Sequence, residues 1–313
     1  SANGEITVTN VRLAPANRKY IQRDSGPAGP KDSYTLNLDV TGGSASVSSA
    51  SATNTPVDVL LVVDNSNSMQ FCVGDHHPSS GTDYCSDAQR MRWRYVKQSV
   101  SGLVDSLFDA RDAGRLDLRV GVVKFARSAS SVQGFSSSRD LVSEAVNGLG
   151  PANDDGGTDW YSALRLANGY QGREGAGKYV VFVTDGQATR TNGESNSKYG
   201  EAWRADTFAQ GVRLVDAGWN VLNVGVDLFA GDGGGLGLFT DFNGELAERA
   251  GSDGDPLVRM FDAQGTGING VFDQIGQAIA RTTSYSIGNV TITDVLTGWA
   301  EPYTIVGGEP KVW

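Results

Sequence analysis

Short apolar runs and helical stripes alternate through the middle of the chain. Residues 57–64, 118–125, 179–184, 221–226 and 257–261 are rich in Val, Leu and Phe, and they predict strands buried on both faces. Between them, Trp93, Val96, Val100, Leu103, Val104 and Leu107 recur at helical spacing, and so do Val271, Phe272, Ile275 and Ile279 further on. Such alternation predicts an α/β domain over residues 51–283, with parallel strands joined by crossover helices. Right-handed crossovers gather the loops that follow the strands on one carboxyl-end rim, where open α/β sheets bind ligands.

The flanks follow a different period. Residues 6–13 and 34–40 alternate, the second run placing Tyr34, Leu36, Leu38 and Val40 on one face, and residues 290–294 alternate again. These patterns predict half-buried antiparallel strands. Neither flank holds enough apolar residues to close a core alone. Residues 1–50 and 284–313 are therefore expected to form one small antiparallel β-sandwich domain built from both chain ends, with the Ser/Ala/Gly-rich stretch 41–55 as linker.

Candidate chemistry lies where strands end. Asp64, Ser66 and Ser68 form an oxygen-rich Asp-x-Ser-x-Ser turn after the first central strand. Thr158 stands in Gly156-Gly157-Thr158-Asp159, and Asp185 follows the strand 179–184. Carboxylates and hydroxyls are hard donors that suit Mg2+, Mn2+ or Ca2+, whereas zinc and copper prefer His and Cys. Magnesium is the expected ion. The plain alternative is a turn whose Asp and Ser cap the next helix.

With these three loops the chain resembles the von Willebrand factor A domain, whose metal-ion-dependent adhesion site is matched at Asp64, Ser66, Ser68, Thr158 and Asp185. The resemblance implies that some of the five reach the ion through water. Only Asp64 and Asp185 carry charge, so the cation would keep net positive character and an open position for an acidic group on a partner.

Composition narrows the setting. The chain has 313 residues, 39% hydrophobic, and 36 acidic against 26 basic residues give a formal charge of −10. With no basic cluster, nucleic acid is not an expected partner. No run of about 18 apolar residues occurs, so no membrane span is expected. The first residues lack the pattern of a signal peptide, and the last ones carry no anchor or sorting signal, which suggests a mature or excised piece of a longer protein.

Cys72 and Cys85, the only cysteines, sit close enough for a local disulfide, which would stabilise by about 3 kcal/mol and imply an oxidising, extracellular compartment. Two free thiols are the alternative. His76 and His77 lie between them and are read as solvated loop residues. The segment 70–87 separates the Asp-x-Ser-x-Ser turn from the first helix. A second Gly-rich segment, 227–243, containing Leu236, Leu238, Phe239 and Phe242, reads as another loop at the same rim, with these side chains either its own packing core or a contact surface.

The flank motifs, Lys19-Tyr20-Ile21 and 33–42 before the α/β domain and 289–294 after it, resemble the tip adhesins of Gram-positive sortase-assembled pili. That family cross-links β domains through Lys–Asn isopeptide bonds, and Lys19 with Asn289 would be the pair here. Strand parity opposes the bond, because Asn289 shares a face with Thr291 and Thr293 and not with the core-facing Val290 and Ile292.

The resemblances imply an extracellular adhesin at the cell wall or pilus tip. Its partners would be a pilus backbone subunit and a host extracellular-matrix protein, glycan or other cell-surface ligand bearing an acidic group. Catalysis is not expected, because Ser66 and Ser68 have no positioned base and no phosphate-cradling loop is present. The competing readings are a structural pilus or surface-layer subunit whose metal only supports the fold, and an intracellular A domain, which the cysteine pair and the β flanks disfavour.

Overall fold

The computed structural model describes residues 16–23, 34–41, 55–75, 84–151, 156–230, 235–251 and 256–281. The chain divides into two compact units between Asn54 and Thr55. In the first, β1 (Ala16–Arg23) and β2 (Tyr34–Thr41) pair antiparallel, with Lys19 opposite Leu38. The alternation at 34–40 foretells β2. The predicted strands 6–13 and 290–294, Asn289, and most of the linker 41–55 lie outside the described residues.

The second unit is built on a six-stranded sheet. Its strands are β3 (Thr55–Asp64), β4 (Leu116–Phe125), β5 (Ala129–Ser136), β6 (Gly177–Thr184), β9 (Asn220–Val226) and β10 (Val258–Ala263). They lie in the order β10-β9-β6-β3-β4-β5, all parallel except β5, which runs antiparallel to β4 at the edge. A two-residue hairpin, β7 (Arg190–Thr191) with β8 (Glu194–Ser195), follows β6. The five parallel strands coincide with the five apolar runs to within two residues at each end.

Among the described residues, six α-helices cover the sheet. α1 (Arg92–Asp112), α2 (Arg139–Asn147) and α6 (Ile268–Arg281) pack on one face, and α3 (Trp160–Asn168), α4 (Ala202–Asp216) and α5 (Leu236–Ala250) on the other. The strand pleat explains the two cores. Val59, Leu61 and Val63 of β3 face α1 and α6, while Leu60 and Val62 face Trp160, Phe239 and Phe242. All five are buried, each worth about 1.5–3 kcal/mol on folding.

The segment 227–243 needs correction, because it is a loop only in its first part. Gly235, at φ +73°, caps α5, and Leu236 to Asn243 are helical. Phe239, Phe242 and Leu246 form a buried helical stripe, so Phe239 and Phe242 are core and not rim contacts. Only glycine fits position 235, because a Cβ would come within 2.9 Å of Gln187 N.

β3 is flanked by β4 on one side and by β6 on the other, and the chain visits β4 first. The strand order thus reverses between β3 and β6, and the carboxyl ends of these two strands flank the crevice where such sheets bind ligands.

Candidate metal site

Asp64 is the last residue of β3, and Asp185 immediately follows Thr184, the last of β6. β3 and β6 are hydrogen-bonded neighbours with Val63 opposite Val183, so the sheet itself sets the two carboxylates side by side. After β3, the Asp64 Oδ1 oxygen accepts the Ser66 amide at 2.8 Å, which closes the turn. The Ser66 and Ser68 hydroxyls lie 3.0 Å apart, and the Ser68 hydroxyl donates to Asp185 Oδ1 at 2.7 Å. Four of the five expected ligands therefore form one hydrogen-bonded set.

Thr158 reaches the same place from the loop before α3. It lines a cleft of about 270 Å³ together with Ser66, Ser68 and Asp185. Its main chain is fixed by Thr189: the Thr158 amide donates to the Thr189 hydroxyl at 2.9 Å, and the Thr158 carbonyl accepts the Thr189 amide at 2.9 Å. The next residue, Asp159, caps α3 by accepting the Ser162 amide at 2.8 Å and ties in the β7–β8 hairpin through the Gly193 amide at 2.6 Å.

Electrostatics make this a demanding place for two carboxylates. Burial and the negative charge of Asp185 push the Asp64 carboxyl up to about 7, against hydrogen bonds from Ser66 and Thr184 that favour its ionised form. Burial also raises Asp185, while Arg92 and Ser68 oppose the rise. Among the described residues no three His, Cys, Asp or Glu side chains group as metal ligands, so any ion here must rely on hydroxyls. Two buried carboxylates and three hydroxyls fit a hard divalent cation, whose charge would offset the cost of ionising both acids. Asp64, Ser66, Ser68, Thr158 and Asp185 would hold it, and when bound it would offer a Lewis-acidic position to a partner's acidic group.

Two residues at the site escaped the sequence reading. Arg92, 3% exposed at the start of α1, pairs with Asp185 Oδ2 at 3.1 Å and with Asp227 Oδ2 at 3.1 Å. Asp227 follows β9 as Asp185 follows β6, and it adopts φ +55°, a costly conformation for a non-glycine residue. The signal for Arg92 was its register, since it falls on the stripe of Val96 and Val100, where a charge requires a buried partner.

Cys72 and Cys85 form a disulfide. The segment they close is tied to the rim: Cys72 bridges Met91, the Gly74 amide donates to Asp227 at 2.8 Å, and Arg92 Nη2 donates to the Asp75 carbonyl at 3.0 Å. Phe71, immediately before Cys72, and Phe229 from the β9–α5 connection both line the cleft. His76 and His77 lie outside the described residues. Lys19 lies in β1, and the candidate cross-link to Asn289, which strand parity opposes, falls outside them too.

Residues 59–187 match the family model of the von Willebrand factor type A domain. No curated protein matches the chain. Among solved structures, the chain resembles the vWF domain of the type V pili tip protein Mfa5 from Porphyromonas gingivalis, with 14% identity and a TM-score of 0.53 over 77% of this chain and 99% of that one. It also resembles the pilus adhesin SpaC from Lactobacillus rhamnosus GG in its open conformation, with 17% identity and a TM-score of 0.52 over 85% of this chain and 34% of that one. At these identities the likeness is one of fold. The sheet order and the rim loops agree with that match, and over residues 59–187 the α/β unit carries a von Willebrand factor type A domain.

Proposed function

We propose that the protein is an extracellular bacterial adhesin, carried at the cell surface or a pilus tip, that binds a host or neighbouring-cell ligand through a divalent cation completed by the ligand's acidic group. The observation that carries this reading is the convergence of Asp64, Ser66, Ser68 and Asp185 in one hydrogen-bonded set, of which Ser66, Ser68 and Asp185 line a cleft with Thr158. Magnesium is the favoured ion because every donor is a hard oxygen. The fold shared with a pilus tip protein and a pilus adhesin supports the setting, as does the disulfide. Assembly on a Gram-positive, sortase-built pilus, with a backbone subunit as partner and the cell wall as anchor, rests on the flank motifs alone. Among the described residues, no helix is long and apolar enough to cross a membrane.

The cleft reads as a binding surface and not a catalytic one. Among its described lining residues there is no histidine or lysine to serve as base for Ser66 or Ser68. The test is binding of the chain to immobilised extracellular-matrix proteins and glycans in Mg2+, in EDTA, and after Mg2+ is restored, with Asp64→Ala as control. Binding that vanishes in EDTA, returns with Mg2+ and is absent in the variant supports the proposal. Binding indifferent to EDTA, with only thermal stability responding to Mg2+, would favour the structural subunit.

A further inference from the structure

Arg92 is a buried positive charge with three anchors. Its Nη1 donates to Asp185 Oδ2 at 3.1 Å, its Nε to Asp227 Oδ2 at 3.1 Å, and its Nη2 to the Asp75 carbonyl at 3.0 Å. The other oxygen of Asp185, Oδ1, takes the Ser68 hydroxyl at 2.7 Å. The two oxygens of this carboxylate thus face different partners, one the serine pair of the turn and the other a guanidinium. Asp64 is divided in the same way, with the Ser66 amide on Oδ1 and the Thr184 hydroxyl on Oδ2 at 2.7 Å.

We propose that Arg92 is a specificity-determining residue for the cation, confining Asp185 to a single offered oxygen and thereby biasing the site toward a small octahedral ion, Mg2+ or Mn2+, over Ca2+. A dication approaching Oδ2 would meet the guanidinium that already occupies it, and like charges at such range repel strongly away from water. Ca2+ takes six to eight oxygens and gains from a bidentate carboxylate, whereas Mg2+ keeps about six ligands in tight octahedral geometry and accepts single oxygens and waters. A site whose two carboxylates are each divided between partners serves the second ion better.

Two of the three anchors of Arg92 lie outside the five candidate ligands. The disulfide-closed segment supplies the Asp75 carbonyl, and its Gly74 amide orients Asp227. Gly265 adds its amide to the other Asp227 oxygen at 3.4 Å. Arg92 therefore links the segment inserted before α1 to the choice of ion. The inference rests on the metal reading proposed above.

The experiment measures Kd for Mg2+ and Ca2+ separately by calorimetry on the whole chain, for the wild type, Arg92→Met, Arg92→Lys and the double variant Arg92→Met/Asp227→Asn. The double variant removes the charge that Arg92→Met would strand, which keeps a folded protein available if the single one unfolds. The wild type is expected to prefer Mg2+. The ratio of the Ca2+ to the Mg2+ Kd should fall about tenfold in Arg92→Met and in the double variant, and Arg92→Lys should retain most of it because an ammonium preserves the repulsion. A ratio that changes less than about twofold in the folded variants, or a wild type that favours Ca2+, overturns the proposal and leaves the metal reading standing. A wild type that binds neither ion removes both.

Discussion

Thr184 donates its hydroxyl to Asp64 Oδ2 at 2.7 Å, across the junction of β6 and β3 and with both residues buried. Thr184 lies behind the cleft, where it meets the lining residue Gly186 at 3.3 Å and fixes the rotation of the carboxylate that closes the Asp-x-Ser-x-Ser turn. Thr184→Val keeps the shape and removes the hydroxyl. We expect Mg2+ affinity to fall about 10- to 100-fold, the usual cost of losing a group that orients a metal ligand, with little change in circular dichroism. Unchanged calorimetric affinity would show that the turn alone orients Asp64.

In EDTA, Asp64→Asn should melt at the wild-type temperature or above it at pH 8. The wild type must then ionise a buried acid whose carboxyl is pushed up to about 7, and the amide avoids that cost. In saturating Mg2+ the order should reverse, because only the wild type gains binding energy. Differential scanning fluorimetry in the two buffers decides it, and a variant that melts well below the wild type in EDTA contradicts the argument.

Asp58 gives the opposite pH dependence at the far end of the sheet. Burial alone would raise its carboxyl, but hydrogen bonds and ion pairs from Arg119 and Arg173, at 2.6–2.9 Å, outweigh burial and hold it below the ordinary range. Its stabilisation is fully present above about pH 4, the unfolded value, and is lost as pH falls through the lower folded value. Asp64, raised in the fold, favours the metal-free protein as pH drops from about 7 toward 4. Denaturant unfolding in EDTA should therefore show maximal stability on the mildly acidic side. Asp58→Asn should lose about 2–3 kcal/mol at neutral pH and flatten the acid limb, and an unaltered acid limb would count against it.

Reducing the Cys72–Cys85 bridge, or replacing both residues by Ser, should cost about 2–3 kcal/mol in urea unfolding. It should also weaken ligand binding more than Mg2+ binding, because the bridge shapes the segment adjoining Phe71 while the five oxygens sit on other loops. Equal losses in both affinities would mean that the bridge supports the metal loops themselves.

Much of this was legible in the sequence because the central strands are buried on both faces and read as unbroken apolar runs. Val57 to Val63 on β3 and Tyr179 to Val183 on β6 leave little room for another assignment, and they place Asp64 and Asp185 at their ends. β5 stayed hidden because an edge strand of Ala129, Ser130, Ser131, Val132 and Gln133 is mostly exposed and carries no clean alternation. The start of α5 was masked by Gly234, Gly235 and Gly237, which read as loop although Phe239, Phe242 and Leu246 already carried a helical stripe. Arg92 and Asp227 were missed for a different reason. The register of Arg92 marks it as a buried charge that needs a partner, but one sequence does not display which partner lies 135 positions away.

Because Asp64 and Asp185 issue from adjacent hydrogen-bonded strands, the sheet acts as a ruler for the site. The spacing of neighbouring strands, about 4.8 Å, is a property of the peptide backbone and not of any loop sequence. The segments around the cleft can then diverge in length and composition without recalibrating the gap between the two acids. Change at the cleft becomes an edit to the rim, while the distance between the two carboxylates is inherited from the hydrogen bonds of β3 and β6.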